Sequence, residues 1–164
     1  MIRLDSLCPD FQDMLLALSS SKAEFLIVGG YAVAWHGHAR STGDIDLLVR
    51  PSAENAPRVF EALVRFGAPV TAAGLTVADF TKKDLVYQIG RVPRRIDILT
   101  EISGVEFDVA WQHRIETEWR GLNIGMIGFD DLLVNKLASG RPKDLADARE
   151  LERLRDERKK GRSS

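Results

Sequence analysis

Apolar and polar positions follow two different periods along this chain. Residues 10–21 carry Phe11, Met14, Leu15 and Leu18 at helical spacing behind Pro9, which predicts an amphipathic helix after a loose lead-in at 1–8. Residues 25–28 (Phe-Leu-Ile-Val) are a continuous apolar run, the pattern of a strand buried on both faces. Gly29-Gly30 interrupts it. A short helix over 30–38 follows, with Ala32, Val33 and Trp35 as its apolar contacts and Gly37 at its end. A polar loop at 40–43 then enters a strand that begins at Asp44 and closes at Pro51-Ser52. Residues 53–66 predict a helix with Val59, Phe60, Leu63 and Val64 turned inward and Ser52 as its N-cap. The stretch 67–83 has weak periodicity and predicts a loop with one short helix near 76–80.

Strands are expected at 85–89 and 95–99 around a turn at 90–93. In the second of these, Ile96 and Ile98 share one face and Asp97 lies on the other. Residues 104–111 fit neither period. A hairpin is expected at 115–119 and 122–127 around Arg120-Gly121. Two helices end the chain. One spans 130–139 before Gly140, and one runs from Pro142 to about 159 with a Leu145, Ala148, Leu151, Leu154 stripe. A basic end at 159–164 is expected to fray. The pattern as a whole predicts one α/β (α+β) domain over 1–164, with its core at about 10–155 and a small mixed sheet flanked by helices.

Composition narrows the function classes. A chain of 164 residues is long enough for one domain with a real core. Lys and Arg total 23 against 24 Asp and Glu, so the net charge of −1 gives no global case for binding nucleic acid or anionic membrane. The single cysteine, Cys8, permits no internal disulfide and no cysteine-based zinc site, which fits a reducing cytosol. No apolar run approaches the roughly 20 residues of a membrane span, and no signal core follows the N-terminus. The expectation is a soluble, cytoplasmic protein with no membrane partner. His36 and His38 lack a third ligand at suitable spacing and read as a polar helix end. Trp35, Trp111 and Trp119 read as packing rather than stacking platforms.

The chemistry concentrates in 25–49. A strand that breaks at Gly29-Gly30 and turns into a helix leaves backbone N–H groups free for an anion such as phosphate. Asp44 and Asp46, two residues apart on a strand, face the same side while Ile45 and Leu47 face the core. Asp97 is a third carboxylate among aliphatic neighbours. Such groups are costly unless paired, solvated or on a metal. Plainer readings stand beside these: an ordinary strand-to-helix turn for the glycines, a strand cap for Asp44, and a pairing of Asp97 with Arg94 or Arg95. Arg40 lies close enough to Asp44 to reach a phosphate. Lys136 sits on the side of its helix with Leu132 and Leu133, and either snorkels to solvent or points into a cleft.

The stretch GGYAVAWHGHARSTGDIDLLV joins a glycine pair, an Arg-x-Thr loop and Asp-x-Asp, and a third aspartate follows on a later strand. In that order these features resemble the DNA polymerase β-like nucleotidyltransferase superfamily. Within it they look most like small bacterial nucleotidyltransferases of toxin–antitoxin and phage-defence pairs. The later LLVNKLASGRPKDLADARELE, with Lys136 and the run from Arg141 to Asp144, is similar to the same group. The likeness spans about 25–154.

The resemblance implies the nucleotidyltransferase fold with C-terminal helices. It also implies transfer of a nucleoside monophosphate from an NTP, ATP among them, to a hydroxyl with release of pyrophosphate. Asp44, Asp46 and Asp97 would be catalytic and would ligate two Mg²⁺ ions, and Gly29, Gly30, Arg40, Thr42 and Lys136 would bind the nucleotide. The acceptors it implies are a tRNA end, a protein side chain or a small molecule, and by the same analogy the partner is a cognate antitoxin. Many relatives carry serine after the first glycine or just beyond the pair, where this chain has Gly30 and Tyr31. That departure keeps open an inactive nucleotide- or partner-binding module of the same fold. A metal-dependent nuclease is a third possibility.

Overall fold

In the computed structural model, which describes residues 3–40 and 42–162, all four residues of strand β1 (Phe25–Val28) are buried. No polar side chain interrupts them, so the strand can lie inside a sheet covered on both faces. It pairs antiparallel with β2 (Ile45–Val49) and parallel with β6 (Leu122–Met126). Outside β2, β4 (Ile96–Leu99) runs parallel to it, and β3 (Val86–Ile89) then runs antiparallel to β4. On the other side, β5 (Ile115–Trp119) pairs with β6 as the expected hairpin. The described residues thus form one six-stranded mixed sheet in the order β3-β4-β2-β1-β6-β5.

Helix α1 (Pro9–Ser20) buries Phe11, Met14, Leu15 and Leu18, the stripe its spacing predicts, against α3 (Ala56–Phe66). Helix α3 starts later than residue 53. Residues 53–55 form a turn in which Ser52 Oγ accepts the Asn55 N–H at 3.1 Å, and Pro57 follows within the first helical turn, where a missing N–H costs nothing. Its buried stripe is Ala56, Val59, Ala62 and Leu63, while Val64 is 54% exposed rather than inward. Asn55 is buried and works as a clamp: its Oδ1 accepts the Glu24 N–H at 2.7 Å, and its Nδ2 donates to the carbonyls of Glu24 (3.0 Å) and Arg50 (3.1 Å). These bonds tie the entry of β1 to the exit of β2. Asn55→Ala leaves the Glu24 N–H without its acceptor, while the Glu24 and Arg50 carbonyls keep the N–H groups of Arg50 and Ser52. It is expected to cost about 1–3 kcal/mol in denaturant unfolding, with an unchanged m-value.

The lead-in is more ordered than its sequence predicts, with a 3-10 turn at Leu4–Ser6 and buried Leu4 and Leu7. Met1 and Ile2 of that stretch lie outside the described residues, as do Ser41, Ser163 and Ser164. A 3-10 turn at Val77–Thr81 sits near the short helix expected there, capped reciprocally by Thr76 and Asp79. The stretch 104–111 resolves into α4 (Phe107–Gln112), whose Phe107 stacks on Trp111 at 5.5 Å. Helix α2 (Gly29–Trp35) ends before Gly37. Helix α5 (Phe129–Ser139) stops at Gly140, which has φ +69°.

The last helix, α6 (Pro142–Arg162), continues to Arg162 through the stretch expected to fray. Its inward face keeps Ala148 and Leu151 of the expected stripe, with Leu154 half-buried, but not Leu145. Leu145 is exposed, and the buried residues are Asp144, Asp147, Ala148 and Leu151. No helix among the described residues is long and apolar enough to cross a membrane.

Candidate active site

Strands β2 and β4 lie side by side with Asp46 directly opposite Asp97. Strand alternation sends Ile45, Leu47, Ile96 and Ile98 into the core, so the two aspartates share the opposite face. Their carboxyl groups crowd each other on that face. Burial, then the charge of Asp97 and the polar contact with it, push the Asp46 carboxyl up to about 7 against the pull of Lys136. Asp44 precedes β2. Its Oδ1 accepts the Arg95 backbone N–H at 3.1 Å, and its Oδ2 lies 3.2 Å from Arg95 Nη2. The same guanidinium grips Asp97 in a fork, with Nε at 2.8 Å from Oδ1 and Nη2 at 3.2 Å from Oδ2. Arg95 therefore bridges Asp44 and Asp97, the pairing that the plainer reading of Asp97 named.

These contacts decide what a cation would meet. Among the described residues, no three carboxylate, imidazole or thiol side chains converge as a ready ligand set. Asp46 and Asp97 nevertheless offer hard oxygen donors crowded together at a cost that a divalent cation would relieve. This fits magnesium, which takes one or two carboxylates and completes its shell with water and substrate phosphate. Asp44 can join them only when Arg95 releases it.

The glycine turn abuts this pair. Gly29 has φ +69°, and a Cβ built there would lie 2.0 Å from Asp46 Oδ2. Gly29→Ala is expected to cost about 1–2 kcal/mol for the left-handed backbone and to push the Asp46 carboxylate aside, so thermal stability and divalent-metal binding should fall together. Gly30 has a different reason to lack a side chain: a Cβ there would lie 2.7 Å from Thr42 Oγ1 and 3.1 Å from Arg40 Nη2. The Thr42 hydroxyl occupies the space that a side chain at residue 30 would need.

Two expected phosphate ligands are anchored on carboxylates that the sequence reading passed over. Lys136 is only 5% exposed, with Nζ 3.1 Å from Asp144 Oδ1 and 3.1 Å from Asp147 Oδ2. Arg40 forks onto Asp147 with Nε 2.9 Å from Oδ1 and Nη2 2.9 Å from Oδ2. Asp144 Oδ2 also accepts from Ser139 Oγ at 2.7 Å and Arg141 Nε at 2.6 Å. Burial works to raise the Asp144 pKa, yet the hydrogen bonds from Ser139, Arg141 and Lys136 hold it down at about 2. Asp144 and Asp147 had a legible signal: with Ala148 and Leu151 they fall at i, i+3, i+4 and i+7, the spacing of a buried helix face.

Gly30, Arg40, Thr42, Asp44, Asp46, Arg95, Asp97 and Lys136 all line one cleft of about 270 Å³, with Arg141 and Lys143 also on its wall. Gly29 lines the adjoining groove that shares Asp46 and Lys136. Every residue predicted for the site is therefore at it or next to it. The histidines and tryptophans are elsewhere engaged: His36 Nε2 bonds the Ile127 carbonyl at 2.8 Å, and Trp119 Nε1 donates to Asp5 Oδ1 at 2.7 Å.

The family described as a nucleotidyltransferase of unknown function (DUF6036) matches residues 4–156. No curated protein matches the sequence. Among solved structures, an antigenic nucleotidyltransferase-like protein from Paracoccidioides brasiliensis is similar with a TM-score of 0.50 and 17% identity, over 88% of this chain and 74% of that one. A nucleotidyltransferase-like protein from Thermotoga maritima is similar with a TM-score of 0.53 and 15% identity, over 96% of each chain. At such identities the likeness concerns the fold alone.

Proposed function

The chain belongs to the nucleotidyltransferase family of unknown function, and we propose that it is a magnesium-dependent enzyme moving a nucleoside monophosphate from an NTP to a hydroxyl acceptor. The observation that carries this reading is the in-register Asp46–Asp97 pair beside a glycine turn, in a cleft whose other wall is cationic. Asp46 and Asp97 would hold the cation, with Asp44 as a further ligand wherever its contact with Arg95 is open. A bound divalent ion supplies charge neutralisation for the α-phosphate and the departing pyrophosphate. Arg95, Arg141 and Lys143 present positive charge along the same wall and hold the triphosphate in register. Thr42 Oγ1 fills the space that a side chain at residue 30 would need, and it takes the polar role that serine has in relatives of the superfamily the sequence resembles. Asp97, at the junction with the adjoining groove's strand, accepts the proton of the attacking hydroxyl.

A cognate antitoxin remains part of the proposal by analogy alone. One observation favours the inactive binding module instead: Arg95 already satisfies both Asp44 and Asp97. Incubation with α-labelled NTPs, Mg²⁺ and total RNA, total protein or small hydroxyl compounds separates the two. The enzyme transfers label, and Asp46→Ala abolishes the transfer. Saturable NTP binding with no label transferred to any acceptor would establish the module, and shortened RNA without NTP would establish a nuclease.

A further inference from the structure

The cleft has a second lobe with a different character. Along β4 and beyond it, Arg95 and Asp97 face the cationic lobe, and Leu99 and Glu101 line a separate groove of about 360 Å³ that shares Asp46, Lys136, Arg141 and Asp144 with the first. The two lobes therefore lead away from Asp46 in opposite directions along the sheet. Val86, which pairs with Leu99 across the strands, and Ile102 give the groove an apolar floor. Asp84 and Glu101 supply its only charges besides the shared residues. Nearby Lys83 bonds Glu106 at 3.0 Å, and its charge also reaches Glu101.

The groove is built rather than incidental. Asn135 Nδ2 on α5 donates to the Ser103 carbonyl at 2.9 Å. Gly104, at φ +76°, lets the loop approach α5 so closely that a Cβ would lie 2.6 Å from that of Ala138. Wall and loop are thus held in place before any ligand arrives, and the volume lies within the range of small-molecule sites.

We propose that this groove is the acceptor site and that its ligand is a small hydroxyl compound carrying a protonated amine. This rests on the nucleotidyl-transfer reading. In an in-line displacement the attacking oxygen enters opposite the leaving group. With pyrophosphate departing into the cationic lobe, the acceptor enters from the opposite one. There its hydroxyl oxygen bonds to the α-phosphorus, the α–β bridging P–O bond breaks, pyrophosphate leaves with that electron pair, and the hydroxyl proton passes to Asp97. Asp84 and Glu101 pair with the ammonium, the apolar floor takes the carbon skeleton, and the same carboxylates repel a polyanion such as RNA.

The test compares glucosamine with its neutral counterpart N-acetylglucosamine and with anionic glucose 6-phosphate, using the full chain. Calorimetric binding without nucleotide is expected to favour glucosamine at least tenfold over both. Asp84→Asn with Glu101→Gln, two exposed substitutions, is expected to erase that preference. With labelled NTP and Mg²⁺, label should pass to glucosamine ahead of the others. Equal binding of the three sugars, or a preference that survives the double substitution, would overturn the assignment. Label that passes to total RNA instead would overturn it while leaving nucleotidyl transfer intact. Selective glucosamine binding with no pyrophosphate released would overturn the transfer reading, and the acceptor role with it.

Discussion

Lys136→Met is expected to destabilise the chain by about 2–4 kcal/mol, lowering the thermal midpoint by on the order of 10 °C. Removing one partner from a buried ion pair typically costs about 3–5 kcal/mol, because it leaves a charge in a poorly polarisable interior. Here the Nζ contacts to Asp144 and Asp147 both disappear, and both carboxylates are buried. The loss falls short of the full figure because Arg40 still forks onto Asp147, and Ser139 and Arg141 still reach Asp144. For a domain of this size each kcal/mol moves the midpoint by about 2–4 °C.

The acid limb of stability should move as well. Asp144 is held at about 2 against an ordinary value of 3.8, so the folded chain keeps this group ionised further into acid than the unfolded chain does. Its stabilising contribution is complete above about pH 4 and fades as the pH falls toward 2. Without Lys136 the folded-state pKa rises, and the fade begins at higher pH. Urea titrations of both proteins from pH 2 to 7 would check this. Curves separated by less than 1 kcal/mol at pH 7 would mean that the network does not anchor α6.

The network also marks where sequence reasoning stops. Segments whose fate is decided by their own pattern were legible. The unbroken run of β1 demands burial, the α1 stripe demands an apolar partner, and alternation around Asp46 and Asp97 places each acid opposite the core-facing isoleucines. Asp144 and Asp147 share helical spacing with Ala148 and Leu151, but charge on a helix usually marks the solvent side, and that expectation outweighed the spacing. Their burial depends on Lys136 and Arg40, which are distant in sequence. Leu145 was misassigned for the same reason: Ala148 and Leu151 of its stripe are buried, but the first turn brings Asp144 inward in its place. Helix α4 escaped notice because it is short and rests on contacts such as the Arg50 guanidinium over Phe107, which no local period records. Within the site, the three acids, the glycine turn and Thr42 were readable from order along the chain. That Arg95 would span Asp44 and Asp97 together depended on the pairing of β2 with β4.

Asp46→Asn should separate function from stability. Nucleotidyl transfer is expected to fall by on the order of 10²–10³-fold or more, the scale for losing one preorganised group that stabilises charge in the transition state. The folded chain should nevertheless become more stable above neutrality. In the wild type the Asp46 carboxyl is raised to about 7 by burial and by Asp97, so the folded chain holds a proton that the unfolded chain releases near 3.8. Wild-type stability therefore declines as the pH rises from about 4 through about 7, then levels off. Asparagine cannot ionise, and its amide can donate to Asp97 where two carboxylates otherwise repel. At pH 8 the variant should be more stable by up to about 4 kcal/mol, or on the order of 10 °C in midpoint, and the difference should vanish by pH 4. Magnesium should raise the wild-type midpoint at pH 8 and leave that of the variant almost unchanged, because the crowding it would relieve is already gone. Strain of this kind persists where a site is shaped for an absent charge rather than for the empty fold. A variant less stable than wild type at every pH would mean that Asp46 and Asp97 form an ordinary structural pair, and the case for a cation there would fail with it.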